Sequence, residues 1–225
     1  MLEVKKISDY VYDAILKNIV ELKHAPGEKI SETMLSKELG VSRAPIKTAL
    51  SKLEAKKLVE IRPQYGTFIS RISPERAKNI CEIRILLEQY AIREAVKNIT
   101  DQQLEKIGRI FGNLEQFDGS DQAHRELIYK ADEELHELIY TVCGNSIIKE
   151  VIEQYRAEIR RIQYANMEWG NRKDSTQEEM REIFEALCAR DEERAQKAME
   201  KHLLNIKKTA EALETNQKNT LKYRI

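Results

Sequence analysis

Residues 39–50 read LGVSRAPIKTAL, and their pattern predicts a helix with two different faces. Ser42 is a typical N-cap residue, and Pro45 falls at the third helical position, where its missing NH has no intrahelical partner. Arg43 and Lys47 lie together on one side of this helix at about 100° per residue. The apolar side chains gather on the opposite side: Ile46, Ala49, Leu50 and Leu53. The stretch therefore predicts a buried apolar back and an exposed cationic front.

The neighbouring segments extend this helix into a larger motif. Apolar residues at helical spacing predict a first helix over residues 7–22, which ends at Pro26 and Gly27. A short second helix is predicted between Ser31 and Gly40. After the third helix, two β-rich runs within residues 59–70 surround the turn RPQYG and indicate a hairpin. Three helices followed by a hairpin form a winged helix-turn-helix, which ends by about residue 72.

The rest of the chain has helical periodicity between its few glycines and its proline. The predicted helices cover residues 74–98, 101–117, 121–143, 146–170, 175–189 and 191–214. Short connections between long helices are typical of a bundle. The predicted fold class is therefore mainly α, with a winged helix-turn-helix domain in residues 1–72 and an all-helical bundle domain in residues 73–225.

Composition restricts the class of protein. Apolar residues make up 41% of the 225 residues and charged residues 34%, which is typical of a folded, helix-rich chain. No apolar run is long enough to span a membrane, and the N-terminus lacks the apolar core of a signal peptide. Three widely separated cysteines suggest neither a disulfide framework nor a zinc knuckle. We therefore expect a cytoplasmic protein without a membrane partner.

Charge is distributed unevenly, although the formal net charge is zero. Residues 1–72 contain 13 Lys and Arg against 9 Asp and Glu, and residues 41–72 alone contain 7 against 2. The positive charge therefore collects around the quoted helix, as expected for a partner that carries phosphates.

The quoted helix is the second helix of the pair, and that helix lies in the major groove in helix-turn-helix proteins. Arg43 and Lys47 are then positioned to donate to guanine O6 and N7, where a good bidentate contact contributes about 1 to 3 kcal/mol of discrimination. The other predicted DNA contacts come from Ser42, Thr48, Ser51, Arg62, Tyr65 and Gly66. The first three of these suit phosphate or sugar, Arg62 suits phosphate, and the Tyr65-Gly66 tip suits the minor groove. The alternative is a cationic helix face that is merely solvated.

Candidate metal ligands occur in the second half of the chain. Asp132 and His136 are four residues apart and share a helix face, while His202 belongs to the last predicted helix. These groups suit zinc, nickel, iron or manganese. Two interpretations remain open at this point, a metal site and a hydrogen-bonded surface pair. His24 and His124 are expected at the surface. Arg160 and Arg161 are expected on a solvated face, with a position in the pocket as the alternative.

The segment from Pro26 to Ser70 resembles the DNA-binding domain of GntR-type bacterial transcription regulators. The shared motifs are P-G, I-x-E-x-x-L, L-G-V-S-R-x-P, A-L-x-x-L and P-x-x-G. The resemblance implies binding to a double-stranded operator. Lys47 stands where the family usually has arginine, and Tyr65 stands where its wing often has a basic residue. The operator is therefore expected to differ from the commonest family sites.

The second half resembles the FCD effector-binding domain that follows many GntR-type DNA-binding domains. The matching motifs are R-x-x-L-E at 84–88, D-x-x-x-H at 132–136, G-N at 144–145 and H-L at 202–203. The resemblance implies a metal held by one aspartate and three histidines at the bottom of the effector pocket. The third histidine position is Met180 here, and a thioether is a weak ligand for such ions.

Two versions of this pocket follow from the substitution at residue 180. In the first, Asp132, His136 and His202 hold a divalent metal such as zinc or nickel, and water or effector oxygens complete the coordination. In the second, the three residues are polar lining for a metal-free organic ligand. Arg84 and Met180 are the expected effector-binding residues, although Arg84 can instead pair with Glu88 one turn away.

The predicted function is a ligand-responsive repressor that acts as a homodimer, because a single helix-turn-helix reads only a half-site. The expected effector is a small organic acid. A second interpretation makes the helical half a small metal-dependent enzyme fused to a DNA-binding module. The sequence offers that enzyme no separate general base, nucleophile elbow or P-loop. We therefore expect a regulator and not an enzyme.

Overall fold

A computed structural model describes residues 7–117, 121–170 and 172–210 of the chain. The elements in chain order are α1 Ile7–Val20, β1 Lys29–Ile30, α2 Glu32–Leu39, α3 Arg43–Ala55, β2 Val59–Arg62, β3 Gly66–Ile69, α4 Pro74–Asn98, α5 Asp101–Glu115, α6 Asp121–Val142, α7 Ser146–Trp169, α8 Lys173–Cys188 and α9 Glu192–Ala210. The predicted fold class is confirmed: a winged helix-turn-helix precedes an all-helical bundle.

Local signals at the helix ends explain the helix-turn-helix. The Ser31 hydroxyl accepts a hydrogen bond of 3.1 Å from the backbone NH of Met34 and caps α2. Gly40 ends α2 in the left-handed region at φ 67°, which glycine adopts without steric cost. Ser42 occupies the N-cap position of α3, but its hydroxyl makes no capping hydrogen bond within the described residues. The apolar back of α3 is buried as predicted.

The predicted hairpin is part of a three-stranded antiparallel sheet in the order β1-β3-β2. Lys29 pairs with Phe68 and Ile30 with Thr67, so β1 covers the outer edge of β3. The sequence did not predict β1, because two residues are too few for a strand pattern. Gly66 has φ 116°, and a Cβ there would lie 2.8 Å from Lys29 Cε, so this turn requires glycine.

The bundle is arranged around α4, which packs along α9 and also contacts α6 and α7. Ser73 caps α4, and Thr100 with Gln103 forms a capping box at α5. Most predicted boundaries agree within two residues, and α8 begins at Lys173 where residue 175 was predicted. The predicted end of the last helix at 214 and the polar tail 216–225 lie outside the described residues.

The two parts of the chain contact each other through α7, against which α1 packs. Arg161 was predicted at the surface, and this prediction was wrong. The side chain is buried, and Arg161 Nη2 donates a hydrogen bond of 2.6 Å to the Ser70 carbonyl at the end of β3. His24 is buried as well, with Nδ1 lying 3.5 Å from Glu28 Oε1. The position of Arg161 depends on a contact distant in sequence, and His24 Nε2 also lies 4.0 Å from Glu38 Oε2 of α2. Helical periodicity does not report such contacts.

No helix of the described part of the chain is both long and apolar enough to cross a membrane.

Candidate functional site

The cationic front of α3 is exposed. Arg43 is the first residue of the helix and Lys47 lies one turn later, while the apolar side chains on the back anchor the helix to α1. Within the described residues, neither cation takes part in an ion pair or side-chain hydrogen bond. Both side chains are therefore free to reach a groove of DNA in front of the helix.

The polar residues around these cations differ in how they are engaged. Ser42 and Ser51 are exposed, and Thr48 donates a hydrogen bond of 3.2 Å to the Ala44 carbonyl one turn earlier. Lys52 Nζ lies 2.8 Å from Asp9 Oδ1 of α1. Lys52 is therefore engaged within the domain, unlike Arg43.

The wing presents its tip to solvent. Tyr65 is 73% exposed, and Gly66 beside it is half-buried. Arg62 contacts Glu60 through a hydrogen bond of 2.6 Å from Nη2 to Oε2, and its guanidinium lies 4.8 Å from the centre of the Phe68 ring. Arg62 therefore has partners within the wing, and a phosphate would have to compete with Glu60 for its charge.

The second constellation is buried inside the bundle. Asp132 and His136 lie one turn apart on α6, and His202 approaches them from α9. All three residues are at most 4% exposed, and one ligand atom from each lies within 4.8 Å of the others. The structure thus brings together the three residues that the sequence singled out.

The three atoms form a nearly equilateral triangle. Asp132 Oδ1 lies 3.3 Å from His202 Nε2 and 3.7 Å from His136 Nε2, and the two imidazole nitrogens are 3.4 Å apart. The point in their plane that is equidistant from all three lies about 2.0 Å from each atom, which is the length of zinc bonds to nitrogen and oxygen. Asp132 Oδ1 makes no hydrogen bond to any described residue. Two histidines and one carboxylate on one face suit a divalent ion with open positions opposite.

Two further carboxylates orient the imidazoles. His136 Nδ1 lies 2.7 Å from Glu88 Oε2, and His202 Nδ1 lies 2.9 Å from Glu179 Oε2. A carboxylate at Nδ1 holds a proton on that nitrogen, so Nε2 is the nitrogen that can offer its lone pair to a metal. Without metal, burial acts to lower the pKa of His136, but Glu88 and then Asp132 raise it to about 9, so a metal must displace the second proton of this ring. The remaining oxygen of the aspartate is also held, because Gln163 Nε2 donates to Asp132 Oδ2. Each candidate ligand is therefore fixed by a neighbour.

Buried arginines compensate the charge of these outer carboxylates. Arg84 Nε donates to Glu88 Oε1 at 2.6 Å, and Arg172 Nη2 donates to both oxygens of Glu179 at 2.6 Å. Asn205 Nδ2 adds a hydrogen bond of 2.8 Å to Glu179 Oε1. Burial alone would raise the pKa of Glu88, but Arg84 and then His136 lower it to about 2. Arg84 is thus paired with Glu88. This pairing favours a salt bridge over the alternative in which Arg84 binds the effector.

Burial likewise acts against ionisation of Asp132, yet its imidazole neighbours hold its pKa well below the usual range. Asp132 is therefore an ionised carboxylate, as a metal ligand must be. Met180 is fully buried on α8 and directly follows Glu179 in the chain. Its side chain belongs to the apolar core of the bundle.

Sequence reasoning missed the residues that surround the ligands, among them Glu88 as a partner of His136, together with Gln163, Arg172, Glu179 and Asn205. From the sequence, Glu88 could be identified only as a salt-bridge partner of Arg84, four residues earlier on the same helix. The others lie on α7, α8 and α9 and just before α8, so their roles depend on which helices meet across the bundle.

Comparison with known proteins agrees with this architecture. Residues 7–69 match the family described as bacterial regulatory proteins, gntR family, and residues 79–205 match the FCD domain. The solved structure of E. coli McbR/YncC superposes with a TM-score of 0.70 at 21% identity, covering 94% of this chain and 98% of that one. This likeness supports the fold.

Curated relatives extend over both halves of the chain. The HTH-type transcriptional repressor RspR of Escherichia coli (strain K12) is 27% identical over 201 residues, which are 89% of this chain and 87% of that protein. The Nta operon transcriptional regulator of Aminobacter aminovorans is 30% identical over 156 residues, which are 69% and 71% of the two chains. The FCD match alone covers more than half of the chain. The chain therefore belongs to the GntR family of bacterial transcription regulators, in the group whose DNA-binding domain precedes an FCD domain.

Proposed function

We propose that this DNA-binding regulator is a homodimeric repressor whose helical domain binds a small organic acid together with a divalent metal. The single observation that supports a metal site is the triangle formed by Asp132 Oδ1, His136 Nε2 and His202 Nε2. The relative RspR is named a repressor, which supports the direction of regulation. The protein acts where chromosomal DNA lies, which is the cytoplasm.

The domain boundary at residue 72 is part of the proposal. The apolar core of the first part consists of buried residues between Val11 and Ile69, while Leu22 and the boundary residue Ile72 pack in the core of the bundle. Residues 1–72 then bind the operator and residues 73–225 bind the effector and the second copy. The proposed DNA contacts are those of Ser42, Arg43, Lys47, Thr48, Ser51, Arg62, Tyr65 and Gly66.

In the metal site, Asp132, His136 and His202 hold the ion, and Glu88, Gln163 and Glu179 orient them. When bound, the ion supplies a Lewis-acidic anchor for the carboxylate oxygens of an effector. Three protein ligands are sufficient for this purpose, because the open positions are those that the effector takes. The replacement of histidine by Met180 therefore weakens the site without removing it.

Helix α7 connects this pocket to the DNA-binding part. Its residue Gln163 contacts Asp132, while Arg161, two residues earlier, contacts Ser70 at the end of β3. A ligand that moves Asp132 thus acts on a helix that touches the wing. A coupling of about 1 to 3 kcal/mol, typical of allosteric proteins, would change operator affinity by about 5- to 150-fold.

The dimer predicts the form of the operator. We expect a footprint of two half-sites related by a near-palindrome with a guanine in each, because two copies read the same sequence in opposite directions. An operator in which one half-site is scrambled serves as the control and should bind much more weakly. Protection of a single asymmetric half-site by the full-length protein would contradict the dimer.

The effector site predicts stabilisation without turnover. A small organic acid that binds the folded state at 100 times its Kd should stabilise the protein by about 2.7 kcal/mol, which a thermal melt detects. The acid should be recovered unchanged after prolonged incubation, and chelator-treated protein is the control for the contribution of the metal. Conversion of the acid would favour the metal-dependent enzyme instead.

A further inference from the structure

A second polar cavity lies at the junction between the two parts of the chain, away from the metal ligands. It has a volume of 70 Å³, enough for several water molecules. Four cationic side chains line it, and a single carboxylate accompanies them: Lys57, Arg71, Arg76, Arg161 and Glu158. The apolar residues of the wall come from α4, from α7 and from the connections just before β2 and α4. The cavity thus combines a strong excess of positive charge with a poorly solvated wall.

Arg161 is the residue that most clearly lacks a counter-ion. Its side chain is 3% exposed, and Nη2 donates to the Ser70 carbonyl at 2.6 Å. Its Nε is buried and has no hydrogen-bond partner among the described residues. Burial lowers the pKa of Arg161 to about 10, although the nearby charge of Glu158 acts in the opposite direction. A buried cation of this kind is costly unless an anion accompanies it.

The single carboxylate of the cavity is already engaged. Arg76 holds Glu158 through two contacts, one of them a hydrogen bond of 2.8 Å from Nη2 to Oε1. Lys57 and Arg71 are exposed at the rim, and neither forms an ion pair within the parts of the chain that the structure describes. Glu158 is therefore engaged by Arg76 and compensates the charge of Arg161 only in part, through a charge interaction without a hydrogen bond.

The N-terminus of α4 also favours a negative charge in this cavity. The N-cap residue Ser73 and Arg76 and Ala77 of the first turn line the cavity, and α4 is a helix of 25 residues. Ser73 already accepts hydrogen bonds from the NH groups of Arg76 and Ala77, so the helix end contributes through its dipole and not through free NH donors. The N-terminus of such a helix carries a partial positive charge and favours anions. The dipole of the helix and the unpartnered Nε of Arg161 are independent features that both favour a negative ligand.

We propose that this junction cavity binds a small free oxyanion, at a site separate from the Asp132, His136 and His202 cluster. Arg161 donates to the anion from the closed end, and Lys57 and Arg71 attract it at the rim. The ligand is phosphate-like or carboxylate-like, because both chemistries offer charged oxygens to guanidinium donors. The bound anion would contact the end of the wing, α4 and α7 together and would hold the DNA-binding domain against the bundle.

The test is calorimetric titration of the full-length, chelator-treated protein with inorganic phosphate, and separately with acetate, against chloride at constant ionic strength. Removal of metal separates this site from the metal cluster. Arg71→Ala and Lys57→Ala remove exposed side chains and should fold normally, while Arg161→Met tests the buried donor. Lys78→Ala is the matched control, because this exposed lysine of α4 carries the same charge and does not line the cavity.

Saturable binding of phosphate or acetate that weakens about tenfold in Arg71→Ala and remains within about twofold of wild type in Lys78→Ala would support the site. The anion that binds more tightly identifies the ligand class. Absence of saturable binding by either anion would overturn the proposal. Equal losses in Arg71→Ala and Lys78→Ala would also overturn it, since the effect would then be general charge attraction.

Discussion

Replacing Arg43 by alanine should lower affinity for the specific operator by about 10- to 100-fold. Arg43 is exposed at the beginning of α3 and has no ion-pair partner among the described residues, so its guanidinium can donate to the edge of a guanine. The apolar back of α3 is untouched by the change, and the melting temperature should stay the same. Fluorescence anisotropy with specific and random duplexes at one salt concentration measures the loss.

Lys52→Ala is the matched control for this experiment, because it also removes one positive charge from α3. Lys52 lies 2.8 Å from Asp9, so its charge is partly neutralised within the domain. We expect a change of only a few-fold, equal for specific and random DNA, since phosphate contacts carry no sequence information. The assignment of α3 as the recognition helix fails if the two variants lose the same specific affinity.

The features that could be predicted from the sequence depend on neighbouring residues. The capping of α2 by Ser31, its end at Gly40 and the buried back of α3 all follow from signals within a few residues. The pair of Asp132 and His136 is likewise local, because four residues make one helical turn. His202 joined them only through the family resemblance and its place on the last helix.

The features that could not be predicted are contacts between distant elements. Glu179 follows no spacing rule with respect to His202, yet their side chains meet at 2.9 Å because α8 packs along α9. From the sequence, Arg161 is expected to be one of two adjacent arginines at the surface. Its burial against Ser70 requires the DNA-binding part to pack on α7. Single-sequence periodicity identifies which side of a helix is buried but not which helix covers it.

Removal of a metal ligand should have the second large effect, a loss of metal affinity. Wild-type protein should bind zinc or nickel in a calorimetric titration, and His136→Ala should weaken this binding by at least about 100-fold, since even outer residues contribute about 10- to 100-fold. Gln163→Ala removes only the hydrogen bond to Asp132 Oδ2 and should fall within that smaller range. His124→Ala is the control, because it makes the same chemical change at a half-buried histidine outside the cluster.

Met180→His should tighten metal binding beyond wild type, because it returns an imidazole to the position where the family has its third histidine. The new ring would be fully buried, as Met180 is, so the metal-free variant should melt below wild type. Metal should then raise its melting temperature more than that of wild type, since the ion both binds more tightly and satisfies the buried nitrogen. If wild type instead binds metal tightly and His136→Ala binds it equally well, the ion lies elsewhere and the role of this cluster is wrong.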